Sequence, residues 1–305
     1  MIDYSLLISV LAGVVLLILL ILRFKFQPFI ALLISSILVG VLAGVAPAEI
    51  INTVKEGMGS TLGFVAVVVG LGAMFGAILE HSGGAEALAQ SLLQKFGEKN
   101  ASWALMIAGF FIAIPVFFDV AFIILIPLVY SLQRKTKKSM LLYAIPLLAG
   151  LAITHAFIPP TPGPVAVADI LNADLGWVIL VGFIVGVPTA IVSGPLFGKY
   201  IASKIFVAAP ENFKKESAKQ FPPISLIIFI IGTPIFLIVL NTVLGSSISS
   251  GLRLSDKAIA WIQMIGHPFS ALILANLMAW YFLGIKRGVS KYVLSSITTS
   301  SLAPA

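Results

Sequence analysis

Apolar runs of membrane length follow one another along this chain with almost no polar sequence between them, and that spacing constrains the fold more than any single residue. The runs cover 5–22, 28–46, 62–80, 140–157, 176–194, 223–243 and 266–284. Each is close to the ~20 residues a helix needs to cross a ~30 Å hydrocarbon core. With 59% of its 305 residues hydrophobic, 10% charged and a mean hydropathy of +1.11, the chain leaves no stretch for a soluble domain. The expected fold class is therefore all-α, a polytopic helical membrane protein whose main solvent is the lipid bilayer.

The N-terminal MIDYS lacks the positive flank of a signal peptide, so 5–22 is expected to be a retained first span. Absence of cysteine excludes disulfides and thiolate metal sites. No cofactor and no metal are expected. The net charge of +7 is not a nucleic-acid signal, because the basic residues gather in short loops: Arg23 with Lys25, Arg134 to Lys138, Lys199 to Lys219, and Lys286 to Lys291. The positive-inside rule puts these clusters on the cytoplasmic side, and an even number of crossings separates each from the next. The N-terminus then faces outward.

Between Asn100 and Gln133, Pro115 and Asp119 divide an apolar stretch into two arms of about 14 residues, each ~21 Å as helix. Neither arm alone spans the core. A re-entrant hairpin fits, with two tilted short spans as the alternative. The amphipathic stretch 84–96 is expected to lie along the cytoplasmic face. Loop 199–219 is the one long polar connection. A weak internal repeat agrees with a division there: PFIALL at 28–33 recurs as PFSALI at 268–273, and Gly44 with Gly284, Ser60 with Ser300 and Leu62 with Leu302 keep the same register. The charge-based orientation makes the two copies run in opposite senses, as in inverted-repeat carriers. The expected organisation is a first repeat over 1–209, with hairpin 100–133 and a broken helix at 140–172, a cytoplasmic linker at 210–222, and an inverted second repeat that starts at 223 and is incomplete at 305.

Few residues can carry chemistry. Asp119 is the only formal charge between Lys99 and Arg134, and a carboxylate at mid-membrane costs at least ~2.5–3.5 kcal/mol, so it needs a reason. Proton coupling supplies one; capping of a helix start supplies another. His155, in ITHAFIPPTPGP, is either a proton relay or an interfacial histidine with satisfied partners. Pro159, Pro160, Pro162 and Pro164 forbid a continuous helix there, and Gly163 frees the backbone. Broken helices at membrane depth survive where they line a cavity, and their free amides can hold an anion. Thr154 and Thr161 add hydroxyls; the alternative is a proline-rich external loop. In GLGAMFGAILEHSGG at 70–84, Gly72 and Gly76 suit close helix packing, while Glu80, His81, Ser82 and Gly83 are secondary site candidates. The candidate sets are thus Thr154, Thr161, Gly163, Ser82 and Gly83 for substrate, and Asp119, His155 and Glu80 for proton coupling. The signatures HExxH, GxSxG and the P-loop are absent from the sequence, so an enzyme is not expected.

The segments SxLGF at 60–64, GAMFGAILEHSGG at 72–84, IPVFFDVAFIILIPLVYS at 114–131, THAFIPPTPGPVAVA at 154–168 and GPLFGKY at 194–200 together resemble the gluconate permease family. The resemblance implies a multi-pass protein of the bacterial cytoplasmic (inner) membrane. It implies proton-coupled uptake of a small anionic hydroxy acid, with gluconate the default and glycerate-like acids or D-serine as alternatives. Many family members carry Glu where this chain has Asp119 and His where it has Thr161, which bears on substrate choice. Members also continue past a LAPA-like segment, here 302–305, so a truncated, non-transporting fragment is the competing expectation. A homo-oligomer stays open.

Overall fold

A computed structural model describes residues 4–210, 221–245 and 255–302. Most of the expected linker, including KKESAK at 214–219, and residues 303–305 of the LAPA segment lie outside that range. The chain divides into two compact units, residues 1–64 and 65–305.

The first unit contains α1 (Tyr4–Leu22), α2 (Pro28–Leu42) and the start of α3 (Pro47–His81). Helix α2 begins cleanly because the Gln27 side chain accepts from the Ile30 amide at 3.0 Å and Pro28 takes the first helical position, where no donor is needed. Gly13 lets α1 approach α2, since a Cβ there would lie 2.2 Å from Val39 Cγ2. Most other α1 side chains are exposed and apolar, as lipid contact requires. Two expectations change here. The run 28–46 yields a helix of only 15 residues, and the run 62–80 is the second half of a helix of 35. The polar stretch Asn52–Ser60 stays helical because backbone hydrogen bonding does not depend on side-chain hydropathy, which reports solvent and not conformation.

The second unit holds the rest of α3, then α4 (Gly84–Phe96), α5 (Ala101–Ile112), α6 (Phe118–Thr136), α7 (Leu141–Phe157), α8 (Pro162–Ile170) and α9 (Leu175–Ile191). A π turn at Val192–Leu196 leads into α10 (Phe197–Ala202), and α11 (Ile224–Gly245), α12 (Asp256–Gly266) and α13 (Pro268–Met278) follow. A second π turn, Ala279–Gly284, precedes α14 (Lys291–Ser301). Among the described residues there is no strand. Among the described residues, six helical segments are long and apolar enough to cross a membrane: Tyr4–Leu22, Pro47–His81, Leu141–Ile170, Leu175–Ala202, Ile224–Leu244 and Pro268–Arg287. The protein is an all-α polytopic membrane protein.

Lipid tails are as apolar as leucine, so close packing rather than water exclusion must hold such helices together. The most intimate pair is α5 with α7. Gly109 sits under the Leu147 carbonyl and Gly150 under the Met106 carbonyl, where added Cβ atoms would come within 2.7 and 2.2 Å. Ala104, Leu105, Ala108, Leu147 and Leu151 fill the seam and are fully buried. Helix α4 turns Ala85, Ala87, Leu88 and Ala89 into the core beside α5 and α6. Its apolar face therefore meets protein, because α5 and α6 offer that face a close-packed surface. Asp174 caps α9, accepting from the Gly176 and Trp177 amides at 2.9 and 3.2 Å and from the Thr242 hydroxyl of α11.

Replacing Gly150 by valine drives branched carbons into the α5 backbone at Met106 and Phe110. A loss of about 1–3 kcal/mol or more is expected, read as a lowered melting temperature of the detergent-solubilised protein, whereas Gly232→Ala, at a glycine with open space around it, should leave melting unchanged.

Candidate functional site

Two helix interruptions come together in the second unit, and each must satisfy its own backbone where water is scarce. Helix α5 stops at Ile112 ahead of Pro115, and α6 resumes at Phe118. The freed C-terminal carbonyls of α5 find partners: Gly109 O accepts from the Ala113 amide at 3.0 Å, Ile112 O from Val116 at 3.1 Å, and Phe110 O from the Thr154 hydroxyl at 2.8 Å. Helix α7 stops at Phe157, where prolines remove the next donors, and α8 resumes at Pro162. There the Thr161 hydroxyl donates to Ile158 O at 2.7 Å and Thr161 O accepts from the Val165 amide at 3.2 Å.

Helix α3 lies against the first interruption. A Cβ on Gly76 would fall 2.2 Å from the Pro115 carbonyl oxygen, so the absence of a side chain is what admits the α5–α6 connection. Beside this contact opens a cavity of about 440 Å³. Its α3 wall is Ala73, Gly76, Ala77 and Glu80, one face at helical spacing, with His81 at the rim. Val116, Phe117 and Val120 form a second wall, and Ser296, Ile297, Ser300 and Ser301 of α14 a third. The Ser301 hydroxyl donates to Thr298 O at 2.8 Å, whereas those of Ser296 and Ser300 make no hydrogen bond among the described residues. A much smaller void, about 10 Å³, shares Ala73, Val116 and Phe117 with the cavity and reaches Pro160, Thr161 and Pro162.

Of the candidates named from sequence, Glu80 lines the larger cavity and Thr161 the smaller. Thr154 is fully buried and its hydroxyl bridges α7 to α5. Gly163 lies in the first turn of α8, exposed. Ser82 donates to Leu79 O at 2.8 Å, and Gly83 adopts φ +72° to turn the chain from α3 into α4. Asp119 occupies the first turn of α6, where the positive end of the helix dipole favours a carboxylate. It is exposed and makes no hydrogen bond or ion pair among the described residues, and the residue before that helix is Phe117, so Asp119 is not the N-cap. His155 is near enough to feel the charge of Asp119 and packs edge-on to Phe117 with ring centroids 6.2 Å apart. Its Nδ1 is buried without a hydrogen-bond partner among the described residues.

Two polar features went unnoticed in the sequence. The first is the serine face of α14; its signal was the i, i+4 spacing of Ser296 and Ser300 within SSITTSS. The second is Asn276 of α13, whose amide donates to Leu71 O and Leu272 O at 2.9 Å and ties α13 to α3.

The sequence profile of the GntP family permease matches residues 5–305. A gluconate permease of Pseudomonas aeruginosa is 39% identical over 99% of this chain and 67% of its own length. A gluconate permease of Bacillus subtilis is 38% identical over 96% of this chain and 68% of its own. An inner membrane permease of Escherichia coli is 39% identical over 99% of this chain and 68% of its own. The chain thus spans about two thirds of the length of these relatives, and with a match running from its first helix to its last it belongs to the GntP permease family, a membrane transporter and not an enzyme.

Proposed function

We propose that the protein carries gluconate or a closely related hydroxy acid across the cytoplasmic membrane together with protons. The observation that carries this reading is the cavity bounded by Glu80, His81 and the serine face of α14. Its volume is within the range of small-molecule sites, about 300–1,000 Å³. Hydroxyl groups at Ser296 and Ser300 suit a polyhydroxylated substrate, because each can donate to one substrate oxygen and accept from another. Two of the similar proteins bear the name gluconate permease, which supports the substrate class.

Coupling follows from charge. A carboxylate substrate entering beside Glu80 is repelled if Glu80 is ionised and accommodated if it is protonated, so anion and proton bind with positive linkage. His155 packs against Phe117 with Asp119 nearby, and the two form a second polar pair suited to passing the proton onward. The hairpin 100–133, the broken helix 140–172 and the inverted second repeat belong to the same proposal. The aligned segments support the repeat: α2 and α13 both start with proline at the first helical position behind a side-chain cap, Gln27 in one and His267 in the other.

The sequence contains no cysteine, so single cysteines report access directly. Ser300→Cys and Ser296→Cys are expected to react with a charged thiol reagent and to be protected by gluconate, while Thr154→Cys stays unreactive. Equal labelling with and without gluconate, glycerate or D-serine would remove the cavity from the substrate path. Asp119→Asn and Glu80→Gln should each abolish uptake of labelled gluconate against its gradient when vesicles are given an inward proton gradient. Glu80→Gln, which mimics the protonated acid, should still exchange labelled for unlabelled substrate; wild-type accumulation in either variant overturns that residue's role.

A further inference from the structure

At one end of the second unit, the starts of α5 and α7 and the end of α10 surround a separate cavity of about 630 Å³. Three lysines from three elements line it: Lys99 from the turn before α5, Lys138 from the turn after α6, and Lys199 from α10. The one carboxylate in the lining, Glu98, is already paired with Lys135. None of the three lysines has an ion pair among the described residues, so their charges accumulate without a counterion.

The walls are built rather than incidental. Ser139 and Tyr143 are 4% and 1% exposed. The Ser139 hydroxyl donates to Ile205 O at 2.8 Å and accepts from the Val207 amide at 3.2 Å, folding the segment after α10 back against the start of α7. Tyr143 donates to Thr136 at 2.9 Å, and Ser102 to Leu142 O at 2.7 Å. Trp103 adds an indole, the side chain that favours the headgroup level of a bilayer. On the charge-based orientation this is the cytoplasmic end, where basic pockets between transmembrane helices hold anionic headgroups.

We propose that this cavity is a phosphate-binding site, distinct from the transport cavity, in which Lys99, Lys138 and Lys199 hold a phosphate-bearing anion at the cytoplasmic membrane surface. Two sources offer that chemistry: the headgroup of an anionic phospholipid and free phosphate from solution.

The test compares the whole protein with a Lys99→Gln/Lys138→Gln/Lys199→Gln variant, with Lys25→Gln/Lys286→Gln/Lys291→Gln, three lysines outside the lining, as a charge-matched control. In one arm, proteins in phosphatidylcholine nanodiscs receive increasing cardiolipin, and retained lipid is counted by native mass spectrometry. In the other, inorganic phosphate is titrated in phosphatidylcholine alone and melting temperature is followed. Lysine-dependent retention of cardiolipin, falling about tenfold or more in the triple variant but not in the control, assigns a lipid headgroup. Lysine-dependent stabilisation by phosphate without cardiolipin retention assigns free phosphate. If the triple variant, shown folded by its circular dichroism, matches wild type in both arms, or if wild type responds in neither, the site is refuted.

Discussion

Everything in the second unit depends on one requirement: a backbone that leaves helical geometry inside a bilayer must still find partners for its polar groups. Two such departures, at 113–117 and at 158–161, lie side by side, and a side chain next to the second helps to satisfy the first. Thr154, near the end of α7, supplies the donor that Phe110 at the end of α5 lacks. Thr161 does the same for Ile158. Gly76 provides the room, because any side chain there would meet the Pro115 carbonyl. The threonines that looked like substrate ligands therefore have a prior engagement, which holds the interruptions open next to a cavity.

The cavity between α3 and α14 combines apolar and polar walls. Ala73, Gly76 and Ala77 of α3, with Val116, Phe117, Val120 and Ile297, make its apolar wall, and Glu80, His81 and the serines of α14 are set among them. On the proposed function, such a site would recognise a hydroxylated acid by few but directional contacts, with one carboxylate facing one substrate anion. Asp119 and His155 are outside the lining, and His155 alone reaches it, through the Phe117 ring.

Much of this was legible beforehand. The apolar runs announced an all-α membrane protein, and the prolines at 115 and 159–164 marked where helices end, because proline removes a donor wherever it stands. What failed was reading helix length from hydropathy: α3 continues through Lys55 and Glu56, and α2 stops at Leu42 within an apolar run. Helix α4 looked like an interfacial helix because its amphipathic pattern does not say whether lipid or protein covers the apolar face. The α14 serines were invisible for a similar reason. Hydroxyl residues in a membrane helix usually bond their own backbone, as Thr298 does to Leu294 O. Only tertiary placement reveals that Ser296 and Ser300 instead face a space shared with Glu80.

The bond between Asn276 of α13 and Leu71 of α3 joins residues 205 positions apart, and the cavity depends on a comparably distant meeting of α3 with α14. A membrane protein enters the bilayer as it is synthesised, so Glu80 arrives long before the serines that complete its surroundings. In the interval a carboxylate stands at the end of an apolar helix with one side of its site missing. Insertion of this chain must therefore tolerate a half-built polar surface, and the small residues of α3 beside Glu80 form the groove that the later helix closes.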